Sequence, residues 1–262
     1  MELYNLTNYS AGIIYINNVV IYELDIEKAN INILYELNGI DEDTYNYLLN
    51  AERMRRQVYI GNLLRTNPAL GDILKAGILE AKKKLFLSNN IESSDILSIK
   101  NDAVFIINRL PRITKFGLVN FRVKNKYIAF YKIGNKEFYY LYNKITKNEV
   151  LDIKGMTDDN ILLHNNFMID YLKHLFRTIL YSGIIEALKV HKEFYNNYIN
   201  RILPVGYYRT FNENSYYPFK EHHKYIIKNA SDNQVFALDI SYNLSVLTEI
   251  QKLLMTMYFN SK

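Results

Sequence analysis

Ile21-Tyr22-Glu23-Leu24-Asp25-Ile26-Glu27-Lys28-Ala29-Asn30 is the stretch on which the fold turns. Its first half is rich in β-branched and aromatic residues and reads as a strand running out at Asp25. Helical residues then follow over 29–38. An ionised carboxylate at the edge of a buried sheet is costly unless something cationic compensates it. A second aspartate sits in similar surroundings. Ile96-Leu97-Ser98-Ile99 and Ala103-Val104-Phe105-Ile106-Ile107 flank the polar tip Lys100-Asn101-Asp102 and predict a hairpin over 96–107. Two such carboxylates brought together make a site for divalent metal ions, and two-metal sites drive phosphoryl and nucleotidyl transfer.

Working outward, residues 12–26 read as a hairpin, with Asn17-Asn18 at the turn. Residues 43–65 read as helical. The clearest helix covers 68–87. Asn67 suits the cap, Pro68 the first position, and Leu70, Ile73, Leu74, Gly77, Ile78, Ala81 and Leu85 keep helical spacing. Lys82, Lys83 and Lys84 fall in its last turns, where cations favour the helix dipole. Strands are expected at 117–133, 136–142 and 149–153, with Gly134-Asn135 as a turn. From residue 161 the period becomes helical, over 162–188 and again near 242–258. The predicted fold is α+β: an antiparallel sheet backed by helices, then a mostly helical C-terminal region. The change of period sets the expected domains at 1–158 and 159–262.

Composition narrows the function. The chain has no cysteine, which excludes a disulfide framework and thiolate metal sites. No apolar run reaches the roughly 18 residues of a membrane span, so a cytoplasmic protein with no membrane partner is expected. Asn, Ile, Lys and Tyr are abundant, a bias that low-GC coding imposes by itself, so the 24 tyrosines carry little weight as base-stacking groups. The net charge is +5, unevenly spread. Residues 51–84 hold eight Arg or Lys against three acids, and residues 121–154 repeat those counts. These basic stretches flank the Asp102 segment in sequence and suit a polyanion. Solvated surface charge reads them equally well. The five histidines form no metal pattern, and there is no Walker loop, dinucleotide fingerprint or nucleophile elbow.

The order of these pieces resembles the palm of family B DNA polymerases, especially the protein-primed phage type. That family's first motif is a strand ending in Asp before a helix, matched by Asp25-Ile26-Glu27-Lys28-Ala29-Asn30-Ile31. Its hairpin-tip motif is matched by Lys100-Asn101-Asp102-Ala103, with Lys100 where the family has a first Asp. Its Lys-x-Tyr element is matched by Lys136-Glu137-Phe138-Tyr139, with Lys124-Asn125-Lys126-Tyr127 as a competitor. The resemblance covers roughly residues 12–160. It implies a nucleic-acid polymerase of a virus or mobile element, acting in the host cytoplasm on a primer-template and nucleoside triphosphates. Asp25, Asp102 and the carbonyl of Ile26 would hold Mg²⁺ or Mn²⁺. Lys126, Lys136 and Tyr139 would contact nucleic acid. The family's fingers motif has no counterpart, so Arg55, Arg56 or Arg65 is expected to bind the triphosphate. Asn30 replaces the tyrosine that packs under the incoming sugar. Two alternatives stay open. One is an inactive palm relative that binds nucleic acid or joins a replication or transcription assembly; the other is an interaction protein with no nucleic-acid role.

Overall fold

A computed structural model describes residues 2–154, 166–204, 207 and 237–261. The fold is α+β, as the sequence predicts. Eight strands form an antiparallel sheet: β1 (Asn8–Ser10), β2 (Tyr15–Ile26), β3 (Ile96–Lys100), β4 (Ala103–Ile107), β5 (Lys115–Phe116), β6 (Val119–Ile133), β7 (Lys136–Tyr142) and β8 (Glu149–Lys154). Their order is β1-β3-β4-β2-β6-β7-β8, with β5 paired to β6. Four helices lie between β2 and β3: α1 (Ala29–Glu36), α2 (Glu42–Asn50), α3 (Arg53–Thr66) and α4 (Ala69–Ser88). After β8 come α5 (Asn166–Ser182), α6 (Ile184–Ile199) and α7 (Ala237–Asn260). No helix among the described residues is long and apolar enough to cross a membrane.

By contacts the chain forms two compact units, residues 1–12 with 19–127 and residues 13–18 with 128–262. The expected boundary at 158/159 lies outside the described residues. In the first unit, Leu24 and Ile26 of β2 and Val104 and Ile106 of β4 pack against Ile33 of α1 and Leu85 of α4. Strand alternation assigns these aliphatic side chains to one face and Glu23 and Asp25 to the other. Helices α1 and α4 pass so closely that a Cβ on Gly77 would lie 2.2 Å from Cγ2 of Ile33. Only a glycine permits that approach. In the second unit, Tyr131 of β6 and Phe138 and Tyr140 of β7 pack on Leu172 and Phe176 of α5 and Leu247 and Ile250 of α7.

Several expectations are corrected. Residues 12–26 are not a hairpin. Strand β2 runs unbroken through Asn17-Asn18, and Asn18 takes a left-handed φ of 57° inside it. An irregular residue of this kind bends a strand without reversing it. The helical stretch 43–65 is two helices, parted at Ala51-Glu52, where Ala51 is extended. Asn67 ends α3 and does not cap α4 with its side chain. Of the stretch 162–188, residues 162–165 lie outside the described residues, and the rest is divided at Gly183, whose φ of 84° stops α5. Lys82 is not a solvated cation at a helix end. It is fully buried, and its ammonium donates to the carbonyl of Leu6.

Candidate active site

The site lies within the first unit and starts from β2. Glu23 and Asp25 share the face opposite the aliphatic core. The register between β2 and β4 pairs Leu24 with Val104. One further step sets Asp25 against Ala103, beside Asp102. The chain then leaves the strand through Glu27, whose amide donates to the carbonyl of Asn120 (2.9 Å). Lys28 adopts a left-handed φ of 47° and opens α1. That conformation is disfavoured for a residue with a Cβ, and neighbours hold it. The Lys28 carbonyl accepts from the amides of Ile31 and Asn32 (3.1 Å each). The Asn32 side chain donates to the Glu27 carbonyl (2.8 Å) and accepts from the Tyr45 hydroxyl (3.2 Å). Asp25 is therefore no helix cap; the cap position belongs to Lys28.

The second aspartate arrives on the hairpin tip. Lys100 pairs with Ala103, so Asn101 and Asp102 alone make the turn, with Asn101 at φ 52°. The N-terminal segment braces this tip. The Asn101 amide donates to the Thr7 carbonyl (2.7 Å), and the Lys100 ammonium donates to Oδ1 of Asn8 (3.1 Å).

Asp25 and Asp102 line one cleft of about 750 Å³. The first turn of α1, including Asn30, forms part of its wall, and Arg53 and Arg56 of α3 and Arg122 and Lys124 of β6 also line it. Counting Lys28, five cationic side chains meet the three carboxylates of Asp25, Glu27 and Asp102 there. Burial raises the pKa of Asp25 above the usual carboxylate range, and the charge of Asp102 raises it further. Lys124 and Arg122 pull it back down, while Glu23 adds to the rise. The two carboxylates thus repel one another, which is the condition a divalent cation relieves. Among the described residues no cluster of three His, Cys, Asp or Glu side chains is arranged to hold a metal. Magnesium needs only one or two carboxylates when substrate phosphates and water complete its shell. The pair meets that count, and Ile26 also lines the cleft.

Glu23 anchors the cationic side of the cleft. Its fully buried carboxylate accepts from Lys124 (3.3 Å), Asn125 (2.8 Å) and the Tyr127 hydroxyl (2.8 Å). Arg122 approaches Glu27 at 3.9 Å, and Glu27 also accepts from Asn120 (2.7 Å). Lys82 lies where the charge of Asp102 reaches it. Burial lowers its pKa to about 8, against the raising effect of that aspartate.

Of the residues expected from sequence, Asp25, Ile26, Asn30, Arg56 and Asp102 line the cleft. Arg55 and Arg65 do not; both are exposed on another face of α3, and Arg65 donates to Asn62 (3.3 Å). Lys126 lies with its ammonium 5.6 Å from the ring centre of Tyr22. Lys136, in the second unit, is half-buried, and burial lowers its pKa. Tyr139 is wholly buried; its ring packs against Phe130 and its hydroxyl donates to Glu137 (3.1 Å). A ring with no exposed surface cannot stack on a nucleic-acid base, and Tyr139 belongs to the core. Sequence reading missed Glu23, Lys82, Arg53, Arg122 and Lys124. Glu23 had a signal, because a residue two places before Asp25 in a strand shares its face.

The sequence profile of the Bacteriophage PBS1 gene 130 protein family matches residues 1–256. The chain belongs to that family of phage proteins. No curated protein matches it.

Proposed function

We propose that this phage protein is a palm-type nucleotidyltransferase, extending a primer on a template from nucleoside triphosphates. One observation carries the reading: an aspartate from a strand and one from the adjoining hairpin turn line a single cleft with five cationic side chains. Arg53, Arg56 and Lys28 would take the triphosphate, the arginines through their bidentate forks. Asp25, Asp102 and the Ile26 carbonyl would hold Mg²⁺ or Mn²⁺. When bound, the ion supplies a lowered pKa for the attacking hydroxyl and neutralises phosphate charge. Glu23 holds Lys124 beside Asp25, and Lys124 restrains the rise in its pKa. Lys126 and Lys136 are the candidates for the primer backbone. Partners in this reading are nucleic acid, nucleotides and other replication or transcription subunits.

Primer extension with Mg²⁺ or Mn²⁺, on DNA and RNA templates, tests it. Asp25→Asn and Asp102→Asn should each reduce incorporation at least a thousandfold without unfolding the protein. Wild-type protein that never extends a primer under these conditions overturns it. Asn30 gives a finer test. Its amide can hydrogen-bond a ribose hydroxyl, so discrimination against ribonucleotides should be weak. Asn30→Tyr should restore a preference for deoxyribonucleotides. Unchanged sugar preference removes Asn30 from the site.

A second reading has its own observation. Lys82 beside Asp102 and Lys124 beside Asp25 supply cations that compensate the carboxylates without any metal. In that case the chain is an inactive palm relative that binds nucleic acid or builds a replication or transcription assembly. Mn²⁺ binding followed by electron paramagnetic resonance separates the two. Binding lost in Asp102→Asn supports the enzyme, and no binding supports the inactive relative.

A further inference from the structure

Helix α3 carries two faces with different tasks. Its sequence, Arg53 to Thr66, holds four arginines and no acid, so the whole helix is cationic. At 100° per residue, Arg53, Arg56, Gln57 and Ile60 fall on one side, and these are the residues that line the cleft. Met54, Arg55, Val58, Tyr59 and Arg65 fall together on the opposite side. That side is exposed, with Met54 at 76% and Tyr59 at 39% of full accessibility. The Tyr59 ring lies 5.8 Å from that of Tyr47 on α2, tilted by 55°, and Tyr47 is 55% exposed. Tyr59 shares this side with Arg55, one turn before it, and with Arg65 nearer the end of the helix. Large exposed apolar groups mark interaction sites.

We propose that this outer face of α3, with Tyr47, is a binding surface for single-stranded nucleic acid. The chemistry suits that ligand better than a duplex. Unpaired bases stack on aromatic rings, and a cationic surface follows their phosphates. Arg55 and Arg65, toward the two ends of this face, are complementary to a polyanion. The same helix lines the cleft with Arg53 and Arg56 on its other side. A strand held on the outside of α3 therefore lies on the side of the helix away from Asp25 and Asp102. Naming that strand a template rests on the nucleotidyl-transfer reading; the binding itself does not.

The test is fluorescence anisotropy with labelled 20-nucleotide oligo(dT) and oligo(rU), in EDTA and without nucleotides. The probe then reports the strand surface and not the chemistry of the cleft. Wild type should bind, with affinity falling about 0.7 log unit per contacted phosphate for each decade of salt. Tyr47→Ala and Tyr59→Ala should each weaken binding about tenfold, the loss of one base stack. Arg55→Glu with Arg65→Glu should weaken it further and flatten the salt slope. All four side chains are exposed, so the melting transition should not move. Unchanged affinity in the double tyrosine variant overturns the proposal, as does absence of strand binding at low salt. A shift of that variant from dimer to monomer at unchanged affinity also overturns it, and makes the face a contact between copies. Strand binding through these residues by a protein that never extends a primer keeps this inference and removes the polymerase reading. Primer extension by a double tyrosine variant with wild-type affinity does the reverse.

Discussion

The two compact units bury polar groups in different proportions. The second unit buries mostly neutral ones, Glu137 excepted, whose carboxylate accepts from the Tyr139 hydroxyl. Tyr131, Tyr171 and Tyr198 are enclosed with Phe138 and Phe176, and the Tyr171 hydroxyl meets Nδ1 of His191 at 2.6 Å. Burial lowers the His191 pKa to about 4 and raises that of Tyr171, so both stay uncharged near neutral pH. The first unit buries charge. Glu23 and Lys82 are fully enclosed, and Asp25 is held beside Asp102. Neutral aromatics gain stability from enclosure, whereas a charge loses hydration and regains it only through partners. The second unit is therefore built for packing, and the first carries an electrostatic cost where the candidate chemistry sits. A perturbed carboxylate in a cleft is a mark of a functional site.

The largest effect should come from the packed unit. Phe176 has no exposed surface and meets the rings of Tyr131, Phe138 and Tyr140 at centroid distances of 4.3, 6.0 and 5.8 Å. Phe176→Ala removes the common neighbour of all three. It should cost about 3–5 kcal/mol in urea unfolding. Hydrogen exchange should show the loss in β7 and α5 before it reaches β4. A cost near zero would break the contrast between the units.

Lys82 gives a smaller effect with a pH signature. Its folded pKa of about 8 lies below the ordinary lysine value of 10.5. Between those values the unfolded chain holds the extra proton. Stability from this group therefore rises with pH from about 8 to 10.5. Lys82→Met should abolish that rise, seen as the difference between wild type and variant across the same pH series. At neutral pH the variant leaves the Leu6 carbonyl without its donor, a loss of about 1–3 kcal/mol, offset in part because no ammonium is buried. Identical pH slopes in the two proteins would show that Lys82 does not carry a buried charge.

What was legible in the sequence follows from how local each signal is. The hairpin at 96–107 was readable because two aliphatic runs flank a polar tip of turn-forming residues. The same logic failed at Asn17-Asn18, since an asparagine in the left-handed region serves a bent strand as well as a turn. Asp25 and Asp102 were found because a carboxylate stands out in an apolar strand. Glu23 sits in the same strand, but its partners Lys124, Asn125 and Tyr127 are a hundred residues away and only the sheet unites them. Lys82 was hidden in a run of three lysines. Its phase with Ile78, Ala81 and Leu85 on the buried stripe was the available clue. Arg53 and Arg56 could be separated from Arg55 and Arg65 only once the phase of α3 against its neighbours was known.

The smallest effect should run in the opposite direction and sharpens the comparison most. Asp25 has its pKa raised, first by burial and then by Asp102. In the window above the ordinary carboxylate value, the folded protein holds a proton that the unfolded chain has released. Stability from this group falls as pH rises through that window, so its penalty is greater on the alkaline side. Asp25→Asn removes the repulsion at nearly constant volume. It should therefore stabilise the protein at pH 7 by about 0.5–1 kcal/mol, the scale of single stabilising substitutions, and show no gain at pH 3. Mg²⁺ should stabilise the wild type and leave the variant unchanged, because ligand binding to the folded state alone shifts the equilibrium toward it. A variant less stable than wild type at pH 7 would mean that Lys124 and Arg122 outweigh the repulsion. Asp25 would then be a structural ion-pair partner, and the contrast between a packed unit and an electrostatically costly one would lose its central example.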